Sequence, residues 1–181
     1  MTEPTVERSP VRIVRMAGIF YALTFLTGGF ALAGGGTAMV AGLLAGACYI
    51  AVTLLFYAIF KPVSRILSLF AAVVSLAGCA IGPLGLLHLV PATLNPLVFF
   101  GFYCLLIGFL ILRSTFLPRF LAALMALGGL GWLTFASPEL ARQLSPFNFL
   151  PGIVGEGALT VWLLVKGVDV ERWKASSKMR A

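Results

Sequence analysis

Residues 37–90 read TAMVAGLLAGACYIAVTLLFYAIFKPVSRILSLFAAVVSLAGCAIGPLGLLHLV, and this stretch settles the fold class. Two runs without Asp, Glu, Lys or Arg, Thr37–Phe60 and Ile66–Val90, flank the basic turn Lys61-Pro62-Val63-Ser64-Arg65. A helix crosses ~30 Å of hydrocarbon in ~20 residues, so each run is a complete span. Neither run alternates apolar with polar residues. Helices are therefore expected rather than strands, since a backbone in lipid must satisfy its own hydrogen bonds.

The same reading extends in both directions. Further apolar runs lie at about Ile13–Ala33, Leu97–Leu112, Leu117–Ala136 and Phe149–Val165. Six spans use most of the 181 residues. The composition agrees, with 60% hydrophobic and 10% charged residues and a mean hydropathy of +1.04. Soluble domains are about 25% charged, and disordered chains are polar. The expected fold is an all-α polytopic bundle of six transmembrane helices, with short loops and one short outer interfacial helix. It divides into a cytoplasmic tail (1–12), the transmembrane domain (13–166) and a second cytoplasmic tail (167–181).

Positive charge orients the bundle. Arg8, Arg12, Arg15, Lys61, Arg65, Arg113, Arg119, Lys166, Arg172, Lys174, Lys178 and Arg180 all fall on one side of a six-span arrangement, and only Arg142 falls on the other. Both termini are expected in the cytoplasm. The net charge of +7 then reflects topology and attraction to anionic headgroups, not nucleic-acid binding. Arg12, Arg15 and the run ending Ala31-Leu32-Ala33 also resemble a cleavable leader. The run Met16–Phe30 is at the upper end for one, and a retained first helix is preferred.

Loop signals are local. Gly34-Gly35-Gly36 reads as a tight outer turn. Ser64 is placed to cap the third helix, and Asn95-Pro96 to start the fourth. Ser137-Pro138-Glu139 combines an N-cap, a first-turn proline and an acid, which predicts a short helix over 138–144. Pro83 inside the third span predicts a kink. Small residues recur at Ala38, Gly42 and Gly46, at Gly78 and Gly82, and at Gly128, Gly129 and Gly131. They suit close helix packing within the bundle, or a homo-oligomer interface.

Glu156 is the sharpest feature, an acid inside the sixth span between Gly155 and Gly157. Acids at membrane depth usually face the bundle or a water-filled cavity. His88 lies near the outer end of the third span, within ~10 Å of the outer boundary as Glu156 does, so a relay between them is one reading. Tyr21 and Thr24 share a helical face with Thr27. Tyr103, with Tyr49, Tyr57, Ser75 and Thr160, lies within spans and is placed to line a polar pocket around Glu156. Ligand- or proton-binding candidates are therefore Glu156, His88, Tyr103, Tyr21 and Thr24. Each also has a plainer role as a hydrogen-bonded packing or interfacial residue.

No metal or cofactor is expected. Cys48, Cys79 and Cys104 have no Cys-x-x-Cys spacing, and buried cysteine often serves as a small hydrophobe. One histidine cannot make bis-histidine haem. Phosphate loops, nucleophile elbows and zinc-protease motifs are absent.

Arg15-Met16-Ala17-Gly18-Ile19-Phe20-Tyr21, Lys61–Arg65, Phe99-Phe100-Gly101, Gly108, Arg113-Ser114 to Leu117-Pro118-Arg119, Pro151, Gly155-Glu156 and Trp162–Gly167 together resemble a bacterial six-helix membrane family. That family is catalogued only as a domain of unknown function. The resemblance implies the fold and a bacterial cytoplasmic-membrane location, and it implies no activity. A histidine often follows the Phe-Phe-Gly motif in that family; here Phe102-Tyr103 stands there. The leading expectation is a non-enzymatic bundle that binds a hydrophobic ligand or assists a membrane complex. Its partners would be the lipid bilayer and a membrane protein or second copy. The alternatives are a small proton-coupled transporter or channel using Glu156, and an intramembrane lipid-modifying enzyme.

Overall fold

The computed structural model describes residues 10–91 and 93–178, all of them helix, turn or loop. Arg8, Arg180 and most of the expected N-terminal tail lie outside the described residues. The helices are α1 (Pro10–Ala33), α2 (Ala38–Phe60), α3 (Arg65–Leu86), α4 (Pro96–Arg113), α5 (Arg119–Leu133), α6 (Pro138–Leu144), α7 (Phe149–Val165) and α8 (Val170–Lys178). α1 to α5 are long and apolar enough to span a membrane, α5 with its 3-10 extension Thr134–Ala136. α7 makes the sixth span. α6 meets it at 81°, so the short helix lies across the bundle end.

Each spanning helix packs on its neighbour in sequence, and α7 returns to α1, closing a ring of six. α1 is thus an integral stave, its Val14, Ala17 and Tyr21 fully buried. The ring is inside-out relative to a soluble protein. Leu54, Phe70, Leu127 and Val161 are exposed. Thr53, Ser75, Glu156 and Thr160 are buried. An apolar outer belt of this extent suits hydrocarbon, not water.

The local stop and start signals act as expected. Ser64 Oγ accepts from Leu67 N at 3.4 Å. Asn95 Oδ1 accepts from Leu97 N at 3.0 Å, and Ser137 Oγ accepts from Leu140 N at 3.3 Å. Gly34 and Gly35 have φ of +78° and +91°, which only glycine adopts without strain.

Two elements differ from the sequence reading. α3, read as a span to Val90, contains Pro83 but falls short of Val90. It ends three residues after Pro83, at Leu86; just beyond, His88 takes φ +56° and Leu89 N bonds back to Leu84 O at 2.9 Å. His88 is therefore the left-handed residue of a helix stop. The stretch read as a C-terminal tail contains α8. Gly167 turns the chain with φ +73°, and Asp169 Oδ1 caps the helix by accepting from Arg172 N at 3.1 Å. Trp173 Nε1 then donates to Ile59 O at the end of α2, at 2.9 Å. Arg172 donates to Thr115 O in the α4–α5 turn at 3.2 Å.

Candidate functional site

Interhelical glycines set up the centre of the bundle. A Cβ on Gly128 would stand 3.1 Å from Pro151 O, and one on Gly155 would fall onto the carbonyl of Leu124. α5 and α7 therefore touch backbone to backbone, as small residues allow. A Cβ on Gly152 would overlap the Trp132 indole. That ring packs directly on Gly152, one helical turn before Glu156, and its N–H reaches the acid.

Glu156 is 5% exposed and gathers donors from four other helices. Tyr21 (α1) donates its hydroxyl to Oε2 at 2.6 Å. Tyr49 (α2) donates to the same oxygen at 3.3 Å. Trp132 Nε1 (α5) donates to Oε1, and the Cys104 thiol (α4) reaches it at 3.5 Å. Four donors match the roughly four lone-pair sites of a carboxylate. Among the described residues, no lysine or arginine is one of its partners. The acid ties together every spanning helix except α3.

α3 is attached separately. Thr53 on α2 and Ser75 on α3 share a hydrogen bond at 2.6 Å. Beyond it, on the α6 side of the bundle, α2 and α3 part around a groove of about 540 Å³. Met39, Gly42, Gly46, Gly82, Pro83 and Leu86 are among its walls, with Thr24, Tyr49, Cys79 and Phe100 at its inner side. Gly46 and Gly82 have nothing within 4 Å of an added Cβ. Intramolecular packing thus accounts for Gly128, Gly129 and Gly131, and for Gly78 against Phe99 and Phe100. It does not account for Gly46 or Gly82.

Of the five sequence candidates, Tyr21 and Glu156 meet directly. Tyr103 packs edge-on against Tyr49 with ring centroids 5.9 Å apart; its buried hydroxyl has no partner among the described residues. Thr24 donates to Phe20 O at 3.0 Å and lines the groove, apart from the acid. His88 is exposed at the α3 stop, and α7 packs on α1 and α5 whereas α3 packs on α2 and α4. The structure therefore does not pair His88 with Glu156. Sequence reasoning passed over Trp132 and Cys104, which carry no charge and look like ordinary core residues. For Tyr49 there was a signal: ~17 Å inside α2 it matches the depth of Tyr21, ~18 Å inside α1, at 1.5 Å per residue.

Ring closure, an apolar outer surface and a polar centre define a multi-pass helical membrane protein. Among known proteins, residues 92–167 match the family described as Domain of unknown function (DUF4386). The match covers α4 to α7, and so holds Cys104, Trp132 and Glu156 but neither tyrosine donor. The chain is also 27% identical over 129 residues to an uncharacterized protein of Archaeoglobus fulgidus, covering 65% of this chain and 76% of that one. No solved structure gives a significant match.

Proposed function

We propose that the protein is a non-enzymatic membrane bundle that holds a hydrophobic molecule in the groove between α2 and α3. The observation carrying this reading is the groove itself. Its volume of about 540 Å³ is within the ~300–1,000 Å³ of small-molecule sites, and its walls are almost wholly apolar. Glu156 then serves as the hub that holds five helices while the α2–α3 side stays open. A buried carboxyl enclosed by four donors supports this role over proton-coupled transport or lipid chemistry.

The orientation belongs to the same proposal. Among the described residues, Arg12, Arg15, Lys61, Arg65, Arg113, Arg119, Lys166, Arg172, Lys174 and Lys178 are exposed at one end of the ring and Arg142 at the other. The positive-inside bias supports a cytoplasmic basic end in the cell membrane, with the groove in the outer half.

The test is native mass spectrometry of protein released from mild detergent. The wild type is expected to carry a hydrophobic adduct that Gly46→Leu, which fills the groove, does not carry. An identical spectrum from both overturns the proposal. A dimer that Gly46→Leu converts to monomer would instead make a second copy the occupant of the Ala38–Gly42–Gly46 face.

A further inference from the structure

The outer end of α3 lacks the support that its inner part has. Up to Gly78 the helix is held on both sides. Ser75 shares its hydrogen bond with Thr53 of α2 at 2.6 Å, and a Cβ on Gly78 would stand 3.0 Å from both Phe99 and Phe100 of α4. The buried residues of α3 stop at Ile81, and none from Gly82 to Leu89 is buried. Gly82 and Gly85 continue the face that Gly78 presents, at i+4 and i+7, yet an added Cβ on either would meet nothing within 4 Å. Among the described residues, the backbone of Gly82–Leu89 bonds only within its own turn and stop, as in Leu87 N to Pro83 O at 3.3 Å and His88 N to Gly85 O at 3.0 Å.

Space borders this turn on two sides. Gly82, Pro83 and Leu86 are walls of the groove toward α2. Gly82, Gly85 and His88 are walls of a second cleft of about 420 Å³, which Leu94 and Pro96 complete at the start of α4. The last turn of α3 is thus a partition between two open spaces. Pro83 sits at its base. It has no N–H to give Cys79 O, and its ring crowds that carbonyl, so the helix is weakest where the turn leaves the held part. Gly82 beside it takes up backbone rotation at little cost.

We infer that Gly82–Leu89 is a flap that hinges at Cys79–Pro83 and sets the width of the groove. Swung toward α2 it closes the groove, and swung toward the cleft it opens it. The Thr53–Ser75 bond is the pin that keeps the rest of α3 in place. Hinge motions of this kind run in microseconds to milliseconds. The flap moves whether or not a molecule occupies the groove, so the inference goes beyond groove binding.

The test is double electron–electron resonance on the full chain in lipid nanodiscs. Spin labels carried on p-acetylphenylalanine leave Cys48, Cys79 and Cys104 untouched. The outer pair stands at Val40 on α2 and Leu87 on the flap, both exposed. The inner pair stands at Leu54 and Phe70, exposed on the held side of the hinge. The outer pair is expected to give two distances and the inner pair one. Pro83→Ala restores the missing donor to Cys79 O and is expected to leave the outer pair with a single distance. Gly46→Leu, which fills the groove, is expected to remove the shorter of the two. A single outer distance in the wild type overturns the flap. Two outer distances that Pro83→Ala leaves unchanged overturn the hinge, and two that Gly46→Leu leaves unchanged overturn the closing of the groove. Groove binding is read separately, by the hydrophobic adduct, and stands or falls independently of these distances.

Discussion

Gly152→Ala is the most direct test of how the centre is built. The added methyl would stand 2.7 Å from Trp132 Nε1 and overlap the indole carbons. Trp132 cannot swing aside easily, because Phe149 packs edge-on at 5.8 Å and Phe135 lies 6.2 Å away. Overpacking of this kind costs ~1–3 kcal/mol. Moving the ring also takes the N–H from Glu156 Oε1, leaving that oxygen only the Cys104 thiol at 3.5 Å. Interhelical polar contacts in membranes are worth ~0.6 kcal/mol on average and ~1.7 at most, because the unfolded chain in lipid also finds partners. The sum is about 2–5 kcal/mol, with packing the larger share, less up to ~1 kcal/mol that alanine gains in the helix. Gly157→Ala is the internal control. Nothing lies within 4 Å of its Cβ, so the helix gains up to ~1 kcal/mol from the same change. Unfolding in mixed micelles, followed with a thiol-reactive dye that reports exposure of Cys104, measures both. Opposite signs are expected. Equal shifts would refute the argument that Trp132 lies on Gly152.

Removing single donors should rank by geometry. Tyr21→Phe, which loses the 2.6 Å bond, should cost about 1–2 kcal/mol, and Tyr49→Phe, at 3.3 Å, less than about 1 kcal/mol; the same unfolding assay decides, and the reverse order refutes the hub. His88→Gly should stabilise by up to ~1 kcal/mol, since glycine takes the left-handed conformation of the α3 stop without strain; a loss of stability would mean that the imidazole holds the loop. Glu139 at the start of α6 accepts from Arg142 at 2.6 Å and from Gln143 at 2.8 Å, and the Arg142 guanidinium holds its carboxyl below the usual range. Its contribution to α6 is therefore present above the ordinary glutamate range and fades as pH falls through the lowered value. Titration of the Glu139 carboxyl by NMR should show the midpoint rise in Arg142→Ala, and an unmoved midpoint would count against the pair.

Hydropathy and charge were enough to place six helices, the short turns and α6 in this sequence. Those features depend on short-range physics: a span must be apolar along its own length, and Ser137, Pro138 and Glu139 act within one turn of one another. α8 was missed because its signal is a cap, not hydropathy: Asp169 before a mostly polar segment. The third helix, read as running to Val90, ends at Leu86 with Pro83 inside it, because His88 makes the stop. Glu156 was recognisable as costly, and Tyr21 and Tyr49 as polar span residues suited to a pocket with it, but Cys104 and Trp132 were not recognisable as its partners, nor was the pairing itself. Tyr21, Tyr49, Cys104 and Trp132 lie 24 to 135 residues from it, and nothing in a single chain's periodicity says which helix stands beside which. Ring closure made that choice by setting α7 between α5 and α1. The groove likewise exists only in three dimensions. Gly46 and Gly82 continue the same four-residue patterns as Gly42 and Gly78, and only the separation of α3 from α2 leaves them with nothing within 4 Å of an added Cβ.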